Sequence, residues 1–245
     1  MAVFFFTLGC KLNRLETEAL AAAFRDAGFP VFHGTAAPPD GLTAPEGTAD
    51  GLTAAGGAPE LAVINTCTVT SKAEQKARRI IRFCLRRFRA VLVTGCYAEL
   101  EAASLAALGS ENPGGGPLLV VPGSRKDRLL DLPRYLADRG VSALAYWDAA
   151  GPPAESLPAE SPPGPAGGPR AGPFRFTPER IFHSRPFLKI QDGCDRRCAY
   201  CRVPLARGRS VSLDRGEILR RLEALERAGL AEAVITGVNI CQYRD

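Results

Sequence analysis

Short apolar runs that alternate with longer helical patterns constrain the first 147 residues more than any other feature. Continuous apolar runs are typical of strands that are covered on both faces of a sheet, and helical patterns lie between them, the first ended by a glycine. The alternation predicts an α/β layer built on a parallel sheet. The predicted strands cover residues 3–8, 61–64, 91–93 and 118–121, and the predicted helices cover residues 13–27, 72–89, 99–108 and 127–139.

Two stretches rich in glycine and proline interrupt this pattern. Residues 34–59 contain ten Gly or Pro and no Lys or Arg, so we expect a disordered insertion there. Residues 148–183 contain the second stretch and are predicted to be a linker. The predicted domains are therefore residues 1–147 and 184–245.

The second domain shows a single βαβ unit. Apolar runs at residues 187–190 and 233–235 flank an amphipathic helix over residues 213–228, which ends at Gly229. One such unit cannot bury both faces of its two strands. We therefore expect residues 184–245 to be the beginning of a larger domain.

Three cysteines follow three of the predicted strands of the first domain. Cys10, Cys67 and Cys96 each come directly after a strand, and the carboxyl ends of neighbouring parallel strands meet at one crevice, where ligands bind. Free cysteines are often simply buried, and Cys84, on the apolar stripe of its helix, is predicted to be such a packing residue. Three cysteines at one topological point favour a ligand site instead.

Three further cysteines lie close together after the first strand of the second domain. The spacing Cys194-x₃-Cys198-x₂-Cys201 gives a tight loop with three thiols, which suits an iron–sulfur cluster. A structural zinc site is the alternative, but it needs a fourth Cys or His nearby. Neither His183 nor Cys241 has a usual spacing for that role, and Cys241 is predicted to be incidental.

At these residues the chain resembles a known family. Residues 194–201, with Tyr200 before the last cysteine, resemble the signature of radical S-adenosylmethionine (SAM) enzymes. The first domain resembles the N-terminal domain of the methylthiotransferases. The residues around its cysteines are similar to the MtaB type, which modifies N6-threonylcarbamoyladenosine next to the anticodon of tRNA. These motifs are Thr-Leu-Gly-Cys-Lys-Leu-Asn at 7–13, Asn-Thr-Cys-Thr-Val-Thr at 65–70 and Thr-Gly-Cys-Tyr-Ala-Glu at 94–99.

The resemblance implies two 4Fe-4S clusters, SAM and a radical mechanism. The cluster on the second cysteine group would bind and cleave SAM, and the cluster on Cys10, Cys67 and Cys96 would deliver sulfur to the adenine. Tyr200 would lie beside the SAM adenine, and Thr236 and Gly237 would face the SAM amino group. Core packing is the alternative for Tyr200, and an ordinary turn is the alternative for Gly237. The implied partners are the tRNA anticodon stem-loop, an external electron donor and a sulfur source.

The resemblance also implies a fold and leaves alternatives open. The family's radical SAM domain is a partial βα barrel with more units, followed by a small RNA-binding TRAM domain, and both would lie beyond Asp245. We therefore expect a C-terminally truncated chain. The alternatives are action on isopentenyladenosine in tRNA or on a ribosomal protein, or a catalytically incompetent fragment that binds a cluster or zinc.

Charge and hydropathy place the protein in the cytoplasm, away from membranes. No apolar stretch approaches the roughly 18 residues that cross a bilayer, and the net charge of +5 permits an anionic partner such as RNA. The predicted helix over residues 72–89 contains eight Lys or Arg and only one acidic residue, Glu74. Such a helix either has a solvated face or binds phosphates. Arg207, after the cysteine loop, is predicted to contact SAM or substrate.

Overall fold

The computed structural model describes residues 1–34, 60–111, 116–147 and 172–245. The predicted insertion at 34–59 therefore lies outside the described residues except for Gly34. The predicted linker at 148–183 lies outside them as far as residue 171.

A five-stranded parallel sheet forms the centre of the first domain, as predicted. Its strand order is β2-β1-β3-β4-β5. Strand β2 therefore lies on one side of β1, and β3, β4 and β5 follow one another on its other side. The direction in which strands are added to the sheet reverses between β1 and β3. The strands are β1 (Val3–Thr7), β2 (Val31–Gly34), β3 (Leu61–Thr66), β4 (Ala90–Gly95) and β5 (Leu118–Val120).

Helices cover both faces of this sheet, which explains why its inner strands are buried on both sides. One face packs against α1 (Lys11–Asp26) and α5 (Leu132–Arg139). The other packs against α2 (Ser71–Arg87) and α4 (Ala102–Ser110), with Cys84 fully buried there as predicted. The short helix α3 (Cys96–Leu100) continues directly from β4.

Three elements differ from the predictions by more than a few residues at their ends. Strand β2 was not predicted, because it is a half-buried edge strand of four residues that contains a histidine and a glycine. The predicted helix over 127–139 is a 3₁₀ segment (Gly123–Leu130) followed by α5, since Pro133 favours a helix start. The predicted helix over 99–108 is divided between α3 and α4 at Glu101.

The second domain contains the predicted βαβ unit and one additional strand. The strands β6 (Phe187–Asp192) and β8 (Val234–Gly237) are parallel, and α7 (Arg215–Arg227) lies between them in the chain. The additional strand β7 (Val211–Ser212) pairs antiparallel to β6. A short helix, α6 (Val203–Arg207), follows the cysteine loop.

The described end of the predicted linker is packed rather than loose. Phe174 and Phe176 are buried, and their carbonyls accept hydrogen bonds from the buried Arg221 of α7. The carboxylate of Glu18 in α1 accepts backbone N–H bonds from Ile181 and Phe182. Residues 172–183 therefore join the two domains through buried polar contacts, which composition alone does not reveal.

Candidate functional site

The first three candidate cysteines lie at the carboxyl end of the five-stranded sheet, at its centre. Cys10, Cys67 and Cys96 directly follow β1, β3 and β4, which are neighbours in the sheet. The reversal of strand order lies between the first two of these strands, and such a reversal opens a crevice at the strand ends. The topology thus brings together residues that are far apart in sequence.

Asn13 and two threonines tie these three strand ends to one another. The Asn13 amide donates to the Leu8 carbonyl at 2.7 Å and to the Thr66 carbonyl at 3.0 Å. The Thr66 hydroxyl donates to the Thr94 carbonyl at 2.6 Å. Each carbonyl lies one or two residues before a cysteine, so one buried hydrogen-bond network sets the relative positions of the three cysteine turns.

Two glycines allow these turns to approach closely. Gly9 and Gly95 have φ of +105° and +106°, a region that other residues rarely adopt. A Cβ on Gly9 would lie 2.7 Å from the Cys67 Cβ, and one on Gly95 would lie 2.6 Å from the Thr66 nitrogen. No side chain larger than hydrogen fits at either turn.

The three thiols are close enough to influence one another electrostatically. Burial raises the pKa of the Cys67 thiol, and the neighbouring Cys96 and Cys10 raise that pKa further. Cys67 is buried, whereas Cys10 is exposed and Cys96 is half-buried. The group therefore faces the surface of the domain at one side, as a ligand site must.

The second cysteine group lies in the loop between β6 and α6. The Cys194 N–H donates to the Gly208 carbonyl at 3.0 Å, and the Cys201 N–H donates to the Cys198 carbonyl at 3.0 Å. Gly193, at φ +70°, passes so close to the Arg209 backbone that a Cβ would overlap it. The loop is thus closed at its base while Cys198 is exposed.

The three candidate SAM residues lie around this loop in different environments. The Tyr200 side chain is 89% exposed, so it is not a packing residue of the described core. Thr236 is buried in β8, and Gly237 ends that strand against the Gln191 side chain. Just beyond, the Asn239 N–H donates to Gln191 Oε1 at 2.8 Å. The Asn239 amide lies 3.9 Å from Cys194 Sγ, so the end of β8 lies beside the cysteine loop.

Each cysteine group adjoins a short helix, and these two helices pack against each other. Helix α3 begins at Cys96, α6 begins two residues after Cys201, and the two helices are in contact. Next to this contact, Arg202 forms ion pairs with Glu74 at 2.5 Å and with Glu101 at 2.9 Å. The fold thus places both cysteine loops on the same side of the domain interface.

A buried charge network lies beneath that contact. Glu16 of α1 forms ion pairs with Lys126 at 2.5 Å, Arg207 at 3.0 Å and Lys189 at 3.4 Å. Asp192, at the end of β6, pairs with Lys189 at 2.8 Å and with Arg207 at 3.1 Å. All five side chains are at least nine-tenths buried.

The network holds its acids ionised. Burial alone would raise the pKa of the Glu16 carboxyl, but Arg207, Lys126 and Lys189 bring that pKa well below its ordinary value. The same balance lowers the pKa of Asp192, where Lys189 contributes most. Three cations therefore face two carboxylates, and the Arg207 guanidinium also donates a hydrogen bond to Asn13, which holds the turns before Cys10 and Cys67. The excess positive charge lies beside the first cysteine group.

Comparison with known proteins agrees with this arrangement. Residues 188–245 match the Radical SAM superfamily, and residues 49–112 match a family described as Uncharacterized protein family UPF0004. The chain is 38% identical over 97% of its length to the Threonylcarbamoyladenosine tRNA methylthiotransferase MtaB of Treponema pallidum, of which the match covers 53%. Over nearly its whole length the chain is therefore similar to a methylthiotransferase.

Two other methylthiotransferases with the same printed name match over nearly the whole chain. The Bacillus subtilis protein is 32% identical over 98% of this chain and 44% of its own length. The Aquifex aeolicus protein is 29% identical over 99% of this chain and 49% of its own length. The chain thus spans about half the length of the curated relatives it matches. No helix within the described ranges is long and apolar enough to cross a bilayer.

The donor set fits the 4Fe-4S cluster that the radical SAM family implies. Cys194, Cys198 and Cys201 offer three thiols within one short loop, and cysteine thiolates are the ligands of such clusters. Among the described residues, no three His, Cys, Asp or Glu side chains form a group that would hold one metal ion. A cubane does not require such a group, because each thiolate binds a different iron atom.

Sequence reasoning missed this charge network and did not foresee the partners of one of its members. The Arg207 guanidinium is hydrogen-bonded to Glu16, Asp192 and Asn13. One signal was available, because Lys189 stands within the apolar run Phe-Leu-Lys-Ile of a strand. A lysine at a core position indicates a buried partner.

Proposed function

We propose that the protein is a tRNA methylthiotransferase that converts N6-threonylcarbamoyladenosine next to the anticodon to its 2-methylthio derivative. The observation that supports the proposal is the packing of α3, which begins at Cys96, against α6, which begins two residues after Cys201. The printed names of the relatives indicate the substrate. The whole relatives are about twice as long, so activity, substrate and partners belong to this proposal.

In this proposal the second cysteine group is the radical SAM site. Cys194, Cys198 and Cys201 hold one 4Fe-4S cluster, and the exposed Tyr200 ring contacts the SAM adenine. Thr236 and Gly237, at the end of β8, contact the SAM amino group. When bound, the cluster and SAM supply the radical that activates the adenine C2–H bond.

The first cysteine group holds a second 4Fe-4S cluster, which provides the sulfur. Cys10, Cys67 and Cys96 are its ligands, and they bind iron through their sulfur atoms. An external electron donor, a sulfur source and a second SAM molecule, which donates the methyl group, complete the reaction. The role of the remaining side chains is to orient these two centres toward the same base.

The positioning has an identifiable origin in the chain. Asn13 fixes the turns before Cys10 and Cys67 and accepts a 2.8 Å hydrogen bond from Arg207. Arg207 in turn pairs with Asp192, two residues before Cys194. The positions of the two cysteine loops are therefore linked by an uninterrupted series of buried polar contacts.

The first test of the proposal is the product. The anaerobically reconstituted protein is incubated with SAM, a reductant, sulfide and tRNA that carries N6-threonylcarbamoyladenosine, and the digested nucleosides are analysed by mass spectrometry. We expect the 2-methylthio nucleoside. If product forms only with isopentenyladenosine tRNA or with a ribosomal protein, the proposed substrate is wrong and the activity is that of another branch of the family.

The second test is the metal content. Two clusters give near eight irons per chain, and the Cys194/Cys198/Cys201→Ala variant should retain about half of that. The Cys10/Cys67/Cys96→Ala variant should also retain half, with a different EPR signal. Stoichiometric zinc with no cubane signal would leave a metal-stabilised scaffold and exclude the radical chemistry.

A further inference from the structure

The outer face of α2 carries a continuous stripe of positive charge. Lys72, Lys76, Arg79 and Arg86 are exposed and follow one another at intervals of four, three and seven residues, which places them on one side of a helix. At 1.5 Å per residue the stripe extends over about 21 Å. The opposite side of α2 is apolar and packs against the sheet.

Most of this charge is not neutralised by the protein. Within the described ranges, no ion pair joins Lys72, Lys76 or Arg86 to a carboxylate, whereas Arg82 pairs with Glu111 at 3.2 Å. The helix's one acid, Glu74, points away from the stripe and pairs with Arg202. The stripe therefore presents an uncompensated positive potential to solvent.

The stripe leads to the cysteine groups. Helix α2 begins four residues after Cys67, and its N-cap Thr70 accepts from the Ala73 N–H at 3.1 Å. The Glu74–Arg202 ion pair connects the first turn of α2 to the residue after Cys201. A ligand that lies along the stripe thus has one end beside the turn that follows Cys67.

The composition of the stripe selects the class of ligand. None of the exposed large apolar side chains of the described structure belongs to α2. A surface that binds a membrane or a protein partner usually has such side chains. Repeated cations without apolar contacts match the repeated phosphates of a nucleic acid backbone.

We infer that the α2 stripe binds the phosphate backbone of the substrate RNA and so directs the anticodon loop toward the cysteine groups. The inference rests on the proposed function, since it names the surface that holds the same tRNA. It assigns Lys72, Lys76 and Arg86 to phosphate contacts that are independent of base sequence. The SAM and cluster residues take no part in it.

The test measures how RNA binding depends on salt. The full protein, anaerobically reconstituted, is titrated against a fluorescently labelled tRNA anticodon stem-loop at several salt concentrations. Each phosphate contact contributes about 0.7–0.9 to the slope of log K against log salt. The Lys72→Gln/Lys76→Gln/Arg86→Gln variant should lose about 2 from that slope and bind at least about tenfold more weakly at low salt.

Two matched variants separate charge from general damage. The Arg128→Gln/Arg134→Gln/Arg139→Gln variant removes the same charge from exposed positions on the opposite face of the sheet, and it should keep the wild-type slope. The Lys72→Arg/Lys76→Arg/Arg86→Lys variant keeps the charge of the stripe and should also keep the slope.

The outcomes separate this inference from the function. Equal slopes for the wild type and the α2 neutralised variant, with methylthiolation intact, would overturn the inference and leave the function standing. Loss of slope in all the neutralised variants alike would also overturn it, since net charge alone would then explain binding. A wild type that neither binds nor modifies the RNA would overturn both.

Discussion

Arg207 in the second domain donates a 2.8 Å hydrogen bond to the Asn13 side chain in the first. The same asparagine holds the turns that precede Cys10 and Cys67. A single guanidinium therefore connects the radical SAM domain to the geometry of the other cysteine group, and its removal has predictable effects.

The first prediction concerns Arg207→Met. The substitution removes the buried ion pairs of Arg207 with Glu16 and Asp192 and its hydrogen bond to Asn13, and breaking buried pairs of this kind costs about 3 kcal/mol or more. We expect that loss in the free energy of unfolding measured with urea. Arg207→Lys keeps the charge but lacks the planar guanidinium. Its free energy of unfolding should therefore lie between those of the wild type and of Arg207→Met. Arg209→Met, at a side chain that is 93% exposed, should change stability by less than about 0.5 kcal/mol. Equal effects at 207 and 209 would contradict the network.

The second prediction concerns acid. The folded chain keeps Glu16 ionised well below its ordinary pKa of 4.5, so the unfolded chain binds more protons in that range. The stability that Glu16 contributes is therefore complete above the ordinary pKa and is lost as pH falls toward the lower pKa of the folded state. The slope reaches about 1.4 kcal/mol per pH unit for one proton.

Urea unfolding of the metal-free chain between about pH 5 and pH 3 measures this slope. Glu16→Gln should reduce the slope of unfolding free energy against pH by up to the contribution of one proton, about 1.4 kcal/mol per pH unit. Glu111→Gln, at an exposed ion pair with Arg82, should leave it unchanged. An unchanged slope in Glu16→Gln would show that other carboxylates cause the acid sensitivity.

The third prediction concerns the turn before Cys96. Gly95→Ala combines a positive φ with a clash against the Thr66 backbone, whereas Gly28→Ala has a positive φ of 85° and open space around it. Strain of this kind costs about 1–3 kcal/mol, so Gly95→Ala should be the more destabilising of the two. It should also halve the iron content, while Gly28→Ala retains it. Similar iron in both variants would contradict the role of the turn.

The fourth prediction distinguishes the cysteines by reactivity. Burial raises the pKa of the Cys84 thiol far above its ordinary value, so iodoacetamide should label it only after unfolding. Cys241 is exposed and should react both before and after cluster reconstitution. In the metal-free chain, iodoacetamide should label all six proposed ligands, and the buried Cys67 should react most slowly. Once the clusters have formed, all six should be protected from the reagent. Protection of Cys241, or labelling of Cys198 in the reconstituted chain, would contradict the ligand assignment.

The sequence predicted those parts of the fold that depend on local pattern. Apolar runs located four strands of the first sheet because strands covered on both faces are continuously hydrophobic. Strand β2 was not predicted, because its four residues are half-buried at the edge of the sheet and do not form a continuous apolar run. The parallel sheet then brought Cys10, Cys67 and Cys96 together by topology alone.

The contacts between the domains were not predictable in the same way. Glu16 and Asp192 look like ordinary charged residues in sequence, and the docking of β6 against α1 brings them to the same arginine, Arg207. Their separation reaches 176 residues. Periodicity detects which side of an element is buried, but it does not show which distant charge is placed against it.

The packing of residues 172–183 limits how the polypeptide can be divided. Glu18 is 1% exposed, and its carboxylate depends on the Ile181 and Phe182 N–H groups and on the His183 ring. A recombinant piece that stops at residue 147 would leave this acid without those donors and would uncover the apolar surface around it. Domain exchange between relatives should therefore carry residues 172–183 together with α1, because these two segments form one structural unit despite the distance between them in the chain.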